Sequence, residues 1–240
     1  MTIKAILFDM FDTIMMIRKN PDFYSPSLMQ MYNYLKTQGI DADFETFEKA
    51  YNKARDELYA KADPNLEEPH FNTRIAQTLK NLGYNYNIKS SLVQTASKKF
   101  CEEFIKFVYL DADAETLLQS LHGKYKLGIV SNYAIPECVD RLLKDHDLNR
   151  MFDVVVVSGA INKRKPSPEI FKKTLKTLEV SAAETVFVGD TLDADIEGAK
   201  KVGMKAVYIQ RRMEKKANQI QPDKTIKSLT ELTTLLEDFS

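Results

Sequence analysis

Short runs of apolar, mostly β-branched residues alternate with stretches of helical periodicity from about residue 110 onward, and this alternation constrains the fold more than any other feature. The runs predict strands at residues 126–130, 154–157, 185–189 and 206–209. The stretches around them predict helices at residues 113–122, 135–146, 168–178, 193–202 and 227–238. Strands of continuous apolar character that alternate with helices form a parallel sheet covered on both faces. Residues 4–8 read as one more buried strand, so we predict an α/β fold.

Residues 16–108 depart from this pattern and look helical throughout. Apolar side chains recur there at helical spacing in four stripes, which begin at Leu28, Phe44, Ile75 and Leu92. Each stripe faces one way, so four helices can bury their stripes together as a small bundle. The sequence therefore predicts an α/β core made of residues 1–15 and 109–240, with a helical domain of residues 16–108 inserted after the first strand.

Charge and cysteine content limit the classes of partner and compartment. Lys and Arg together number 34, as do Asp and Glu, so no net field draws in nucleic acid or an anionic membrane. Cys101 and Cys138 are the only cysteines, and the N-terminus has no apolar signal region, so we expect a cytoplasmic protein. We interpret the basic run beyond the last predicted strands as a solvated loop; it comprises Arg211, Arg212, Lys215 and Lys216.

Polar residues follow the predicted strands at the points where those strands end. They are Asp9, Thr13, Ser131, Asn132, Lys165, Asp190 and Asp195. The carboxyl ends of parallel strands converge on one edge of a sheet, so these side chains should surround one pocket. Each residue alone is more often a helix cap or a solvated loop residue, but the ordered set meets the demands of phosphoryl transfer. That reaction needs a nucleophile, cations and hydrogen-bond donors, and Mg²⁺ prefers oxygen ligands such as Asp190.

Four segments carry a resemblance to the haloacid dehalogenase (HAD) superfamily. They are Asp9-Met10-Phe11-Asp12-Thr13, Val130-Ser131-Asn132, Lys165-Pro166-Ser167-Pro168 and Val188-Gly189-Asp190-Thr191-Leu192-Asp193-Ala194-Asp195. The resemblance implies a Rossmann-like core, a helical cap inserted after the first motif, and a small phosphorylated substrate. It also implies Asp9 as the nucleophile. It places four residues at the phosphate, namely Thr13, Ser131, Asn132 and Lys165, and it gives Lys165 a part in catalysis as well. It places Asp9 and Asp190 at Mg²⁺, and Asp195 either as a direct ligand of the metal or just behind its ligands.

Phe11 is the departure from this pattern, because family phosphatases have a second Asp there as the general acid/base. A Phe cannot transfer protons, but its backbone carbonyl can still bind the metal, as the resemblance implies for that position. Asp12 is the adjacent candidate for the missing role, although a carboxylate there also suits turn-capping. Water, or a polar residue of the cap such as His70 or Glu67, could supply the proton instead.

Four functions are compatible with Phe11. We expect a Mg²⁺-dependent phosphatase, because Asp190 has a purpose only if a cation is present. Members of the family that are 2-haloacid dehalogenases have an aromatic residue at this position and need no metal, but they lack the pair Gly189-Asp190. A phosphonatase would need a cap lysine, for which Lys49 and Lys53 are the candidates on a Lys-rich helix. A homologue that binds its ligand without turnover is the fourth alternative.

Overall fold

Six parallel strands form the central sheet of this computed structural model, which describes residues 2–18, 22–211 and 220–239. In spatial order they are β5 (Val154–Val157), β4 (Lys126–Ser131), β1 (Ala5–Phe8), β6 (Thr185–Gly189), β7 (Lys205–Ile209) and β8 (Lys224–Ile226). From β1 the chain builds β4 and β5 on one side, and then β6, β7 and β8 on the other. The order therefore reverses beside β1, and open α/β sheets bind ligands beyond the strand ends at such a point.

Both faces of the sheet are buried, as the apolar runs predict. Along β1, Ile6 and Phe8 pack into one hydrophobic cluster, whereas Ala5 and Leu7 pack into another, and all four side chains are inaccessible to solvent. Alternate residues of a strand point to opposite faces, so β1 lies between two layers. The α-helices described after residue 110 are α5 (Ala114–Leu121), α6 (Pro136–Asp145), α7 (Ser158–Ile161), α8 (Pro168–Leu178), α9 (Glu197–Val202) and α10 (Glu231–Glu237). The predicted α/β fold with a parallel sheet is confirmed.

Four α-helices follow β1 in the described part of the chain and precede α5. They are α1 (Tyr24–Thr37), α2 (Phe44–Ala62), α3 (Phe71–Asn81) and α4 (Ser91–Phe104). Side chains cap the first turns of three of them, α2, α3 and α4, where Asp43, His70 and Ser90 each accept a hydrogen bond from a backbone amide. Helix α1 packs against α4, and α3 packs against both α2 and α4, which buries one face of each helix.

A two-stranded antiparallel ribbon stands where the chain enters and leaves these helices. It pairs β2 (Met15–Ile17) with β3 (Val108–Leu110), so that Met15 lies opposite Leu110 and Ile17 opposite Val108. The prediction of helix throughout residues 16–108 is therefore wrong at both ends of that segment. Strands of three residues are too short for a periodic pattern to reveal them. Within the described ranges, none of the helices combines the length and apolar character that crossing a bilayer requires.

Candidate functional site

Three carboxylates meet beyond the carboxyl ends of β1 and β6. Asp9 directly follows β1 and its amide donates to the Val188 carbonyl of β6 at 2.9 Å. Asp190 directly follows β6, and Asp195 lies in the π-helical turn Leu192–Ile196 that comes next. One carboxylate oxygen from each of these three residues lies within 4.8 Å of the others, and all three residues are buried. The prediction that strand-end acids converge thus describes the observed geometry.

Lys165 places its ammonium group among these acids. Its Nζ donates to Asp9 Oδ1 at 2.5 Å and to the Val130 carbonyl at 2.7 Å. It also lies 2.7 Å from Asp195 Oδ1, as an ion pair rather than an aligned hydrogen bond. Burial alone would lower the pKa of Lys165, but the negative charges of Asp195 and Asp9 outweigh it and raise that pKa. Lys165 is therefore a buried cation at neutral pH.

Asp9 is the most perturbed acid of the cluster. Its pKa is raised from the usual 3.8 to about 7, chiefly by burial and further by the charges of Asp195 and Asp190. The Lys165 ammonium opposes this shift but does not cancel it. A carboxyl poised near neutrality in a cleft is typical of functional sites.

We expect the wild-type protein in EDTA to lose stability relative to an Asp9→Asn variant as pH rises from about 4 to about 7. A carboxyl with a raised pKa in the folded state binds its proton more tightly there than in the unfolded chain, so deprotonation costs folding free energy. Urea denaturation of both proteins at several pH values measures the difference. Parallel curves for the two proteins across this window would show that Asp9 does not titrate in this way.

The charges of the cluster fit a divalent cation. One carboxylate oxygen of each acid lies within 4.8 Å of the others, so three negative charges meet in a small buried space when Asp9 is ionised. Burying unpaired charge is costly unless a counter-ion is present. Carboxylate oxygens are the ligands that Mg²⁺ prefers, so the donor set formed by Asp9, Asp190 and Asp195 suits this ion.

Gly189 allows Asp195 to reach the cluster. A Cβ atom at position 189 would lie 2.4 Å from Asp195 Oδ2 and 2.6 Å from Asp195 Cβ, so any larger residue would push the carboxylate away. The amide of Thr191 donates to Asp195 Oδ2 at 3.0 Å and fixes the side chain from the other side. Asp193, two residues earlier, is exposed.

Two buried hydroxyls lie near the carboxyl ends of β1 and β4. Thr13 Oγ1 and Ser131 Oγ are inaccessible to solvent and make no hydrogen bond to any described part of the chain. A buried hydroxyl without a partner costs roughly 1–3 kcal/mol, so such groups are usually satisfied by a ligand or by water. Their position beside the carboxylates suits the oxygens of an anionic ligand.

Asn132 uses its side-chain amide to hold Lys165. Its Oδ1 accepts from the Lys165 amide at 2.7 Å, and its Nδ2 donates to the Lys165 carbonyl at 3.0 Å. The sequence places Asn132 at a phosphate, whereas the structure shows both ends of this amide bound to the backbone of Lys165. Asn132 therefore fixes the position of the lysine in the cluster.

Phe11 and Asp12 occupy the turn after β1. The Phe11 ring packs on Phe104 at 5.7 Å and on Tyr133 at 4.9 Å between ring centroids, so it faces an aromatic wall. Asp12 adopts a positive φ of 57°, a conformation that Asp tolerates better than most residues. Its Oδ1 accepts a hydrogen bond from the Ile17 amide at 3.3 Å. This contact corresponds to the turn-capping alternative considered for Asp12.

Arg211 contacts the turn that follows β1, and the sequence did not reveal this contact. Its guanidinium donates to the carbonyls of Asp12 and Thr13 at 3.3 Å and 3.0 Å, and pairs with Asp111 at 2.8 Å. The prediction of a solvated loop is therefore wrong for Arg211, while Arg212, Lys215 and Lys216 lie outside the described residues. Its place two residues after β7 repeats the strand-end rule, which is the signal that could have identified it.

The residues before Lys165 join the helical segment. Arg164 pairs with Asp63 at 2.6 Å, and its amide donates to the Leu66 carbonyl at 2.9 Å. Lys163 donates to the Asn65 carbonyl at 3.0 Å. The loop that carries the buried lysine is thus tied to the chain that follows α2.

Comparisons with known proteins identify relatives of this chain. A family model described as haloacid dehalogenase-like hydrolase matches residues 40–209. A protein of Pyrococcus furiosus named glyceraldehyde 3-phosphate phosphatase is 31% identical over 238 residues, which are 98% of this chain and 92% of that protein.

Solved structures show the same fold. A HAD phosphatase from Thermococcus onnurineus superposes with a TM-score of 0.60 at 26% identity, over 98% of each chain. A 2-haloacid dehalogenase from Pseudomonas syringae pv. Tomato superposes with a TM-score of 0.74 over 100% of each chain, but at 22% identity this likeness concerns the fold alone.

Proposed function

Because the chain belongs to the haloacid dehalogenase-like hydrolase family, we propose that it is a Mg²⁺-dependent phosphatase that hydrolyses small-molecule phosphate monoesters. The observation that carries this proposal is the convergence of the buried carboxylates of Asp9, Asp190 and Asp195 within 4.8 Å of one another. A phosphate cannot approach these acids without a cation, and the donor set suits Mg²⁺. The two unpartnered hydroxyls of Thr13 and Ser131 then bind phosphate oxygens.

In the proposed reaction, Asp9 acts as the nucleophile. One Asp9 oxygen attacks phosphorus and forms an aspartyl-phosphate, while the bond from phosphorus to the ester oxygen breaks and that oxygen leaves with the electron pair. Lys165 stays beside Asp9 and balances negative charge on the phosphoryl oxygens. Water then attacks phosphorus and loses a proton to the solvent, while the bond from phosphorus to the Asp9 oxygen breaks and restores the carboxylate. When bound, Mg²⁺ would further neutralise the phosphoryl charge, with Asp9, Asp190, the Phe11 carbonyl and Asp195 around it.

The leaving oxygen must also gain a proton, and no acid stands at position 11. We propose that water supplies it. Asp12 caps the turn through the Ile17 amide, so we assign it no main acid/base role. His70 uses Nδ1 to accept from the Asn72 amide, and its Nε2 lies 3.2 Å from both oxygens of Glu137. Glu67 lies 4.0 Å from the Lys163 ammonium. We therefore assign the proton to water rather than to His70 or Glu67, whose observed contacts are with other residues.

We also propose that residues 16–108 act as a cap over a core of residues 1–15 and 109–240, in a protein of the cytoplasm. Contacts between the two segments lie beside the candidate nucleophile, because Phe11 packs on Phe104 of α4 and Arg164 pairs with Asp63. Lids of this kind exclude water and select substrate.

Two alternatives have specific support or opposition in the structure. Dehalogenase chemistry is favoured by the aromatic Phe11, but Asp190 would repel the carboxylate of a haloacid and the released halide. Phosphonatase chemistry is opposed by Lys49 and Lys53, which are exposed and paired with Glu45 and Glu57 on the surface of α2. A screen that includes both ester and halide substrates separates the proposed phosphatase from a dehalogenase.

The test is a screen of phosphate monoesters and 2-chloropropionate, each with Mg²⁺ and with EDTA. We expect phosphate release from at least one ester, a fall of about a hundredfold or more in EDTA, and recovery on adding Mg²⁺. Chloride release in EDTA would replace the proposal with a dehalogenase. Ester hydrolysis at the same rate in EDTA would refute the dependence on Mg²⁺. Ligand binding without any turnover would favour a homologue that binds its ligand but does not hydrolyse it.

A further inference from the structure

A cavity of about 280 Å³ lies between the four helices and the loop that follows β4. Its walls on the helical side include Tyr24, Tyr59 and Arg74, and on the other side Asn132 and Tyr133. A space of this size accommodates a small organic fragment rather than a large ligand.

This cavity adjoins the candidate catalytic cluster. Asn132, which lines it, holds the backbone of Lys165, and Lys165 in turn contacts Asp9. Tyr133, which also lines it, packs against Phe11 in the nucleophile turn. The lining of this cavity is therefore one contact away from Lys165 and from the turn that follows Asp9.

Arg74 brings a positive charge to the cavity. Its guanidinium carbon lies 5.3–5.5 Å from the ring centroids of Tyr51, Tyr59 and Phe71, and its Nη1 donates to the hydroxyls of Tyr51 and Tyr24 at 3.0 Å and 3.3 Å. Rings and hydroxyls orient this cation without neutralising it.

No carboxylate of the described residues comes within 4 Å of the Arg74 guanidinium. Glu68, which also lines the cavity, instead accepts the hydroxyl of Tyr59. Burial raises the pKa of Glu68, while the Tyr59 hydrogen bond and the charges of Arg164 and Arg74 act in the opposite direction. Among the described residues, therefore, Arg74 has no direct ion pair that would neutralise its positive charge.

We propose that Arg74 binds a carboxylate of the substrate, so that the preferred substrates are phosphate monoesters of small carboxylic acids. This inference rests on the proposed phosphatase function and deepens it. A guanidinium oriented by aromatic rings is suited to a planar carboxylate, and such a charge-assisted contact is stronger than one to a neutral group. A neutral aldehyde or alcohol at the same place would lack the charge that strengthens the contact with Arg74.

The test compares three substrates that differ only at one carbon: 3-phosphoglycerate, glyceraldehyde 3-phosphate and glycerol 3-phosphate. We expect kcat/KM with Mg²⁺ to be at least about tenfold higher for 3-phosphoglycerate than for either of the two substrates with an uncharged group at that carbon. Arg74→Gln should abolish that preference, and Arg74→Lys should keep part of it, because the charge remains. Lys80→Gln, an exposed substitution on the same helix, is the matched control and should preserve the wild-type ratios.

The outcomes separate this inference from the function on which it rests. If p-nitrophenyl phosphate is hydrolysed but kcat/KM is equal for the three substrates, the proposed role of Arg74 is wrong and the proposed phosphatase function stands. An equal loss on all three substrates in Arg74→Gln would indicate a purely structural residue and would also overturn it. If no ester is hydrolysed, the proposed phosphatase function is wrong, and calorimetry in Mg²⁺ then tests the role of Arg74 by ligand binding to Asp9→Asn. Equal affinities of this variant for 3-phosphoglycerate and glycerol 3-phosphate would overturn the inference. Tighter binding of 3-phosphoglycerate that is lost in the double variant Asp9→Asn/Arg74→Gln would support it.

Discussion

Replacing Asp9 by Asn is expected to lower kcat for phosphate-ester hydrolysis by at least about 10⁴-fold, because the amide cannot act as the nucleophile. The change is isosteric, and the Asn oxygen can still accept from Lys165. It also removes a buried acid whose pKa is raised to about 7, so the variant should fold at least as well as the wild type at pH 8. Steady-state kinetics and urea denaturation measure the two effects.

Asp193→Asn is the matched control, since it makes the same change at an exposed acid of the same region. It should keep wild-type kcat within a few-fold. Mass spectrometry of the wild-type protein quenched during turnover should detect one added phosphoryl group on the peptide containing Asp9. Full activity of Asp9→Asn, or a phosphoryl group on another peptide, would rule out the assigned nucleophile.

Replacing Lys165 by Met is expected to destabilise the metal-free protein by roughly 3–5 kcal/mol at pH 8, as well as to abolish most turnover. Lys165 is 3% exposed and contacts both Asp9 and Asp195, so its loss leaves buried carboxylates without a counter-charge. Mg²⁺ should restore part of the lost stability, because a divalent cation supplies positive charge to the same carboxylates. Urea denaturation in EDTA and in Mg²⁺ measures both quantities.

Lys163→Met provides the control for this prediction. Lys163 is two residues away and its nearest carboxylates, on Glu67 and Glu169, lie at 4.0 Å and 3.6 Å, with Lys163 and Glu67 both partly open to solvent. Ion pairs at such surfaces contribute at most about 1 kcal/mol. Similar losses in the two variants would mean that Lys165 is not the counter-charge of the acids. A double variant, Lys165→Met with Asp195→Asn, should recover stability because it removes one of the repelling carboxylates.

The sheet could be predicted from the sequence because its strands are buried on both faces. Residues 154–157 and 185–189 match β5 and β6 at both ends, since continuous apolar runs of that length have few alternatives. Strand β8 (Lys224–Ile226) was not predicted: its first two residues are exposed, and only Ile226 is buried. Its pairing with β7, in which Lys224 lies opposite Val207, decides this segment, and a pattern of three residues does not reveal such a pairing.

The sequence predicts those site residues whose location follows from their position at the end of a strand. It does not predict side-chain contacts that depend on the path of a loop. Asp9 and Asp190 could be placed together because each directly follows a neighbouring parallel strand. The hydrogen bonds of Asn132 to the Lys165 backbone depend on the path of a loop between β5 and α8, which no local pattern encodes. Arg211 reaches carbonyls 198 and 199 positions earlier in the chain, so its role depended wholly on the folded arrangement.

The ribbon of β2 and β3 has a consequence for how such a protein can change. Opposite Cα atoms of an antiparallel pair lie about 4.5–5.5 Å apart, so residues 18–107 leave and return at nearly the same point. The entropy of closing a loop grows only with the logarithm of its length, by about 0.6 kcal/mol for each doubling. Exchanging this segment for a longer or shorter one is therefore inexpensive for the sheet. Substrate preference can diverge through such exchanges while the acids beyond β1 and β6 stay in place.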